Sequence, residues 1–188
     1  DALGYVIKLL AIAKRVDGKM LVRVHPTFVP KNHPLANVND VFNGIYVKGS
    51  AVGDVMFYGP GAGSLAAGSA VVGDIMDIAR NINFDATSRI PCTCYDEREM
   101  LSMDHVRCKN YIRLRTEDKP NVLAAVAEAF GDNKVSIESV LQSVLPDSTA
   151  EIVWLTHEAD EPNTRQALDT IKALPVVKEV SNWIRVEE

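Results

Sequence analysis

The stretch Tyr111-Ile112-Arg113-Leu114-Arg115-Thr116-Glu117-Asp118-Lys119-Pro120-Asn121-Val122-Leu123 decides the fold of the second half of the chain. Its first five residues alternate, with Ile112 and Leu114 on one side, as a half-buried strand requires. From Pro120 the period changes. Val122, Val126 and Phe130 fall on one helical face, and proline suits a first helical turn, where an N–H has no intrahelical partner anyway. Gly131 is placed to end that helix as a C-cap. Further on, Val135 to Gln142 reads as a strand with Val135, Ile137 and Leu141 alternating. A turn at Pro146-Asp147-Ser148 leads to another strand over Ala150 to Thr156. Glu161 to Leu174 is a second helix with Leu168 and Ile171 inward, stopped by Pro175, and Val176 to Val186 closes as a final strand. The order is βαββαβ, the ferredoxin-like arrangement.

Upstream, residues 84–109 lack a sustained period. They mix Pro91, three cysteines and the cluster Asp96-Glu97-Arg98-Glu99, which reads as a connector between domains. Before it, Met56-Phe57-Tyr58-Gly59-Pro60-Gly61-Ala62-Gly63 passes from a strand pattern into a long helix of small residues over about 63–83, with Leu65, Val72, Ile75 and Ile78 near one face. A glycine-rich turn before a helix leaves backbone amides facing outward, which suits a polar ligand. Ile45 to Lys48 and Val55 to Tyr58 are strand candidates. His33-Pro34-Leu35-Ala36 reads as a short helical turn, and Met20 to Val24 as a strand that Pro26 and Pro30 close. Leu3, Val6, Ile7 and Leu10 recur at helical spacing, so a helix capped by Asp1 is expected over residues 2–14, with a turn at Asp17-Gly18. No dinucleotide-binding domain precedes the glycine-rich turn, so the chain reads as the back half of an enzyme.

With 188 residues the chain can build two cores. A net charge of −5, with no basic stripe interleaved with aromatics, argues against nucleic acid as a partner. No apolar run is long enough for a membrane span, and three cysteines do not suggest a secreted disulfide scaffold, so a cytoplasmic protein is expected. Cys92, Cys94, His105 and Cys108 supply four soft ligands, but at a spacing unlike the common zinc fingers; free thiols and no metal are expected. His25 and His33 stand beside prolines and read as structural, and Trp154 and Trp183 as core or interface residues.

Two parts of the chain resemble known families. The blocks 114–123 and 135–142, Val135-Ser136-Ile137-Glu138-Ser139-Val140-Leu141-Gln142, are similar to ACT domains, the amino-acid-sensing modules of many biosynthetic enzymes. Residues 3–13, Val24-His25-Pro26, His33 to Val38, and Tyr58 to Gly63 running on to Ser69-Ala70-Val71-Val72, resemble homoserine dehydrogenase. The resemblance implies an α+β protein in three parts. Residues 1–83 would end a mixed α/β substrate domain, 84–109 connect, and 110–188 form a ferredoxin-like ACT domain. It further implies NAD(P)-dependent interconversion of homoserine and aspartate semialdehyde in threonine and methionine biosynthesis. NADP or NAD would be bound mainly by a domain upstream of this chain. The family's catalytic lysine also lies upstream, so none of Lys8, Lys14 and Lys48 is taken as catalytic, and the chain alone should be inactive.

By the same resemblance, Gly59, Gly61 and Gly63 approach the cofactor, and glycine there admits positive φ and close backbone contact. Ala66-Ala67 replace the more usual Pro-Thr, so a threonine hydroxyl contact is lost. In the ACT part, Thr116, Asp118 and Asn121 form the effector loop, and Ser136 would reach the site across a dimer interface. Asp118 either pairs with an effector ammonium or caps the helix. Asn121 stands where the family usually carries glycine, filling space or adding a hydrogen bond of its own. The implied effector is L-threonine, and the implied assembly is a homo-oligomer, at least a dimer, through ACT and substrate-domain surfaces. The alternative is a stand-alone amino-acid-binding and dimerisation module.

Overall fold

The computed structural model describes residues 3–86 and 97–187. In chain order its elements are β1 (Tyr5–Val16), β2 (Lys19–Pro30), β3 (Phe42–Gly49), β4 (Gly53–Pro60), α1 (Ser64–Asn83), β5 (Met100–Leu101), β6 (Arg107–Glu117), α2 (Val122–Asp132), β7 (Ile137–Val144), β8 (Thr149–Thr156), β9 (Ala159–Asp160), α3 (Glu161–Lys172) and β10 (Val177–Val186), with 3-10 turns at Pro34–Asn37 and Met103–His105. By contact the chain falls into two units. One takes in the residues up to Pro30 and those from Arg98 on; the other lies between Lys31 and Glu97.

In the first unit the main sheet runs β1-β2-β10-β6-β8-β7. Four of its strands, β10-β6-β8-β7, pair antiparallel in the order that a βαββαβ chain gives. The core lies between these strands and the two helices. Ile112 and Leu114 of β6, Ile152 and Trp154 of β8, Val126 and Phe130 of α2, and Leu168 and Ile171 of α3 are all at most 2% exposed. The rings of Phe130 and Trp154 stand 5.4 Å apart at a tilt of 54°. The expected strands and helices of residues 111–186 are therefore present, with shifts at their ends. Helix α2 starts at Val122 with Asn121 as its N-cap, so Pro120 precedes the helix instead of standing in its first turn. Gly131 lies inside α2 rather than capping it. The helix runs on to Asp132, and Lys134 at φ +60 makes the left-handed turn that lets the Val135 amide reach the Phe130 carbonyl at 2.9 Å. The strand expected from Val135 starts at Ile137, and Val135 is instead a buried plug beneath the helix end.

The largest correction falls at the start of the chain. Residues 2–14 are not a helix: Tyr5–Val16 is a strand paired with β2 at twelve consecutive positions, from Tyr5↔Pro30 to Val16↔Lys19. The turn between them is Asp17-Gly18, with φ of +48° and +81°, and a two-residue hairpin turn of type I′ needs positive φ at both places. Leu3, Val6, Ile7 and Leu10 match a helical spacing, but Ile7 and Leu9 stay exposed while Val6, Leu10 and Ile12 face inward with period 2. Pro26 does not end β2. On the side away from β1, β2 pairs with β5 at Met20 and Leu21 and with β10 at Thr27 and Phe28, and Pro26 lies in the gap between these short ladders. Leu21, Val106 and Cys108 form a second small core here. Part of the stretch expected as connector, from Met100 on, is thus built into the sheet.

The second unit contains the β3–β4 hairpin, the Pro34–Asn37 turn and α1. His33 caps that turn, its Nδ1 accepting from the Leu35 amide at 3.1 Å, which fits the structural role read from the sequence. Leu35, Val38 and Met56 close over Gly44, where an added Cβ would stand 2.8–3.1 Å from all three side chains. Helix α1 has no buried residue, and Leu65, Ile75, Ile78 and Ile82 are 57–88% exposed.

Phe130→Ala should destabilise the first unit by about 3–5 kcal/mol, as large core truncations do. Urea unfolding followed by Trp154 fluorescence measures it; a loss under about 1 kcal/mol would mean that the helix–sheet core is not the one described.

Candidate functional site

The first candidate is the loop from β6 into α2. Thr116 is the last inward-facing residue of β6, fully buried on the helix-covered side, and its Oγ1 has no hydrogen-bond partner. Buried hydroxyls are rarely left unpaired, because each loses its water without compensation. Asn121 is the N-cap of α2 at φ +71° and makes no side-chain cap bond. The left-handed conformation that glycine would adopt is kept, by the residue type that tolerates it best after glycine. Asp118 is exposed and is not the cap. Lys119 binds Glu117 at 2.8 Å, and this hydrogen bond, with the lysine's charge, holds the Glu117 carboxyl below its ordinary value. On the neighbouring turn Asp147 accepts from the Thr149 hydroxyl, the Thr149 amide and Arg115, which pins the β7–β8 connection at this end of the sheet and lowers the Asp147 pKa.

Thr116, Asp118 and Asn121 thus share one loop. Ser136 does not join them within one chain. Thr116 pairs with Ala150, whereas Ile137 pairs with Thr156 at the opposite end of the sheet, and the Ser136 carbonyl accepts from the His157 amide there at 2.9 Å. Val140 and Val144 of the edge strand β7 lie opposite the buried Trp154 and Ala150, on the face that the helices cover elsewhere, yet are 37% and 64% exposed.

The second candidate is the glycine-rich turn between β4 and α1. Only Gly63 uses positive φ, at +122°, as the N-cap of α1. Gly61 is required for space instead: an added Cβ would stand 1.4 Å from Asn43 Nδ2, while the Gly61 amide is tied to the Val41 carbonyl at 3.1 Å. Gly59 pairs with Asn43 inside the hairpin. A Cβ on Gly59 or Gly63 would meet nothing within 4 Å, so the backbone there is open to an approaching group. Phe42 and Tyr58 stack at 4.9 Å beside it.

Sequence reasoning missed a third feature, the charged seam where β2 meets β10. Arg23 pairs with Glu187, and Arg185 makes two hydrogen bonds to Glu161, which is 2% exposed. A cleft of about 70 Å³ beside it is lined by Lys14, Arg107, Cys108, Lys109, Glu158, Val186 and Glu187. That is far smaller than the roughly 300–1,000 Å³ of organic ligand sites. Cys92 and Cys94 lie outside the described residues, and no metal-holding cluster occurs among the described ones. Burial pushes the Cys108 thiol up to about 11, so it is a poor nucleophile at neutral pH. In peptide mapping after iodoacetamide at about pH 7.5, Cys108 should stay unmodified in the native chain and react once unfolded in urea; fast native labelling would contradict its burial.

Residues 1–76 match the homoserine dehydrogenase family model and residues 110–176 the ACT domain model. The chain is 38% identical to homoserine dehydrogenase of Neisseria gonorrhoeae, over 100% of its own length and 44% of the relative's. It is 40% identical to that of Synechocystis, over 99% and 45%. A crystal structure of a homoserine dehydrogenase from Thiobacillus denitrificans superposes with a TM-score of 0.89 at 38% identity, over 100% of this chain and 43% of that one. A Staphylococcus aureus homoserine dehydrogenase gives 0.63 at 29%, over 100% and 43%. The chain therefore spans less than half the length of the relatives it matches. Two family models met in order on one chain, and a fold shared along its whole length, make this chain similar to the C-terminal part of homoserine dehydrogenases.

Proposed function

We propose that the chain is the C-terminal part of a homoserine dehydrogenase, an oxidoreductase of threonine and methionine biosynthesis in the cytoplasm. The enzyme interconverts L-homoserine and L-aspartate 4-semialdehyde with NAD(P). The observation that carries the reading is the superposition of the entire chain on 43% of a homoserine dehydrogenase at a TM-score of 0.89. The division of labour follows the boundaries 1–83, 84–109 and 110–188. The first part is substrate-domain scaffold, the last an ACT regulatory domain.

The nicotinamide, when bound, takes or gives the hydride. This chain supplies open backbone next to it, at Gly59 and Gly63, where a side chain would stand in the approach. Asn43 fixes the turn by filling the space at Gly61, and the first-turn amides of α1 face any anionic group that arrives. The proton-transferring lysine belongs to another part of the enzyme. The exposed apolar face of α1 is the surface on which the rest of that enzyme packs, as an unpartnered helix face of this size requires.

In the ACT domain the effector is L-threonine. Its carboxylate meets the first-turn amides of α2, and the unpaired Thr116 hydroxyl and Asn121 supply polar contacts. Ser136, at the far end of its own sheet, serves the site of a partner subunit. The open β7 edge, with Val140 and Val144 uncovered, supports side-by-side pairing of two ACT sheets.

Calorimetric titration should give saturable binding of L-threonine and none of L-isoleucine, L-lysine or L-methionine. Thr116→Val should weaken it roughly two- to tenfold, the worth of one net hydrogen bond. Absence of threonine binding, or equal binding of all four, would rule out the sensor assignment. Asn121→Ala should cost about 1–2 kcal/mol through its left-handed φ, while Asn121→Gly should cost less than about 0.5 kcal/mol, as urea unfolding would register.

A further inference from the structure

The hairpin of β1 and β2 is tied to the β10 edge of the ACT sheet by a very short ladder. Only Thr27↔Arg185 and Phe28↔Val186 pair, continued by one bond from the Glu187 amide to the Phe28 carbonyl at 2.9 Å. The side chains around this ladder are charged, and Arg23 and Glu161 among them are buried. Arg23, 5% exposed, pairs with Glu187; Glu161 receives both nitrogens of the Arg185 fork, with Arg165 3.5 Å away and paired in turn to Asp104 at 3.1 Å. The Arg185 guanidinium also lies 4.6 Å from the centre of the Trp183 ring.

His25 sits among them. Arg23, His25 and Thr27 alternate onto the inner face of β2. The His25 Nδ1 is 3.0 Å from the Pro26 carbonyl and 3.0 Å from Thr27 Oγ1, and Thr27 spends its own proton on the His25 carbonyl at 3.1 Å. Both neighbours of Nδ1 are then acceptors, which assigns the proton of the neutral ring to Nδ1 and leaves Nε2 bare. That Nε2 is buried and has no partner. The charged groups that bear on the ring are Arg23 on its own strand, Arg185 on β10 and Glu161 at the start of α3, two cations against one anion whose oxygens the Arg185 fork already occupies.

We propose that His25 is a proton-operated latch on the β2–β10 seam: a proton taken up at Nε2 has no acceptor and adds a third cation beside Arg23 and Arg185, so the hairpin lets go of the ACT sheet. Burial first, then these guanidiniums, lower the His25 pKa in the closed seam, against a weaker opposite pull from Glu161 and the Pro26 carbonyl. The sign follows. Above about pH 6.5 the ring is neutral whether the seam is closed or open, and the latch holds. As pH falls below that value the open form binds the proton and the closed form does not, so closure weakens until the lowered pKa is reached. The latch lies outside both candidate sites and gives the ACT domain a pH-dependent grip on the β1–β2 hairpin of the same unit.

Hydrogen exchange of the intact chain tests this, read at the amides of residues 27–28 and 185–187 and corrected for intrinsic rates. From about pH 7.5 to 5.5 their opening should rise about tenfold, since an ordinary histidine is roughly ten parts protonated to one at the lower value. Amides of the core strand β8 should not change. His25→Gln should remove the pH dependence. NMR titration of the His25 ring in the wild-type chain, which needs no variant to fold, should give a value below that of a free histidine. Unchanged protection between the two pH values, the same pH dependence in His25→Gln, or a His25 that titrates at or above the free value would each overturn the proposal.

Discussion

Complete burial of Ile112 and Leu114 against the two helices is the constraint on which the rest of the first unit depends. It fixes β6 as the central strand, since only a strand paired on both sides and covered by α2 and α3 can hide both side chains. Once β6 is fixed, its inward period carries Thr116 beneath the entry to α2 and Asn110 to the other end. There the Asn110 Oδ1 receives the Trp183 indole at 2.7 Å, and its Nδ2 donates to the Cys108 carbonyl at 3.1 Å. Burial of apolar area drives this arrangement, and the polar groups follow where the alternation puts them.

The two units differ in how far they satisfy themselves. The first has a closed core and a sheet extended by the β1–β2 hairpin. The second has a hairpin and a long helix whose apolar residues find no cover. An amphipathic helix stabilised by packing cannot be explained by its own sequence when nothing among the described residues covers its apolar face. The proposed place of this chain within a longer enzyme resolves that imbalance: a scaffold that is incomplete alone, joined to a regulatory module that is complete. β2 belongs to the first unit, where it pairs with β10 of the ACT-bearing sheet, and the second unit follows it in sequence from Lys31.

Much of this fold is legible in the sequence. The βαββαβ half is readable because each element there buries one face, so strands alternate and helices show a 3.6 period. The first strand misleads because Leu3, Val6, Ile7 and Leu10 satisfy a helical spacing as well as they break a strict alternation. A strand with apolar residues on both faces leaves no period-2 trace. Asp17-Gly18 between two twelve-residue runs is the better indicator, as a two-residue hairpin turn. Gly131 misleads for a local reason, since Lys134 rather than glycine takes the left-handed cap. Thr116, Asp118 and Asn121 are traceable as one loop, but the separation of Ser136 from them is a matter of register, which spacing does not reveal. The seam is invisible in the sequence. Its Arg23–Glu187 and Arg185–Glu161 pairs join residues 164 and 24 positions apart, and along the chain each reads as an ordinary solvated charge.

The most direct measurement is NAD(P)-dependent oxidation of L-homoserine by the full-length enzyme of which this chain is proposed to be the C-terminal part, assayed beside the chain alone at equal concentration. A regulatory and scaffold role for the chain requires turnover by the full-length enzyme and only background from the chain. Turnover by the chain alone would mean that the hydride-transfer site lies within these residues, and an inactive full-length protein would remove the dehydrogenase assignment altogether.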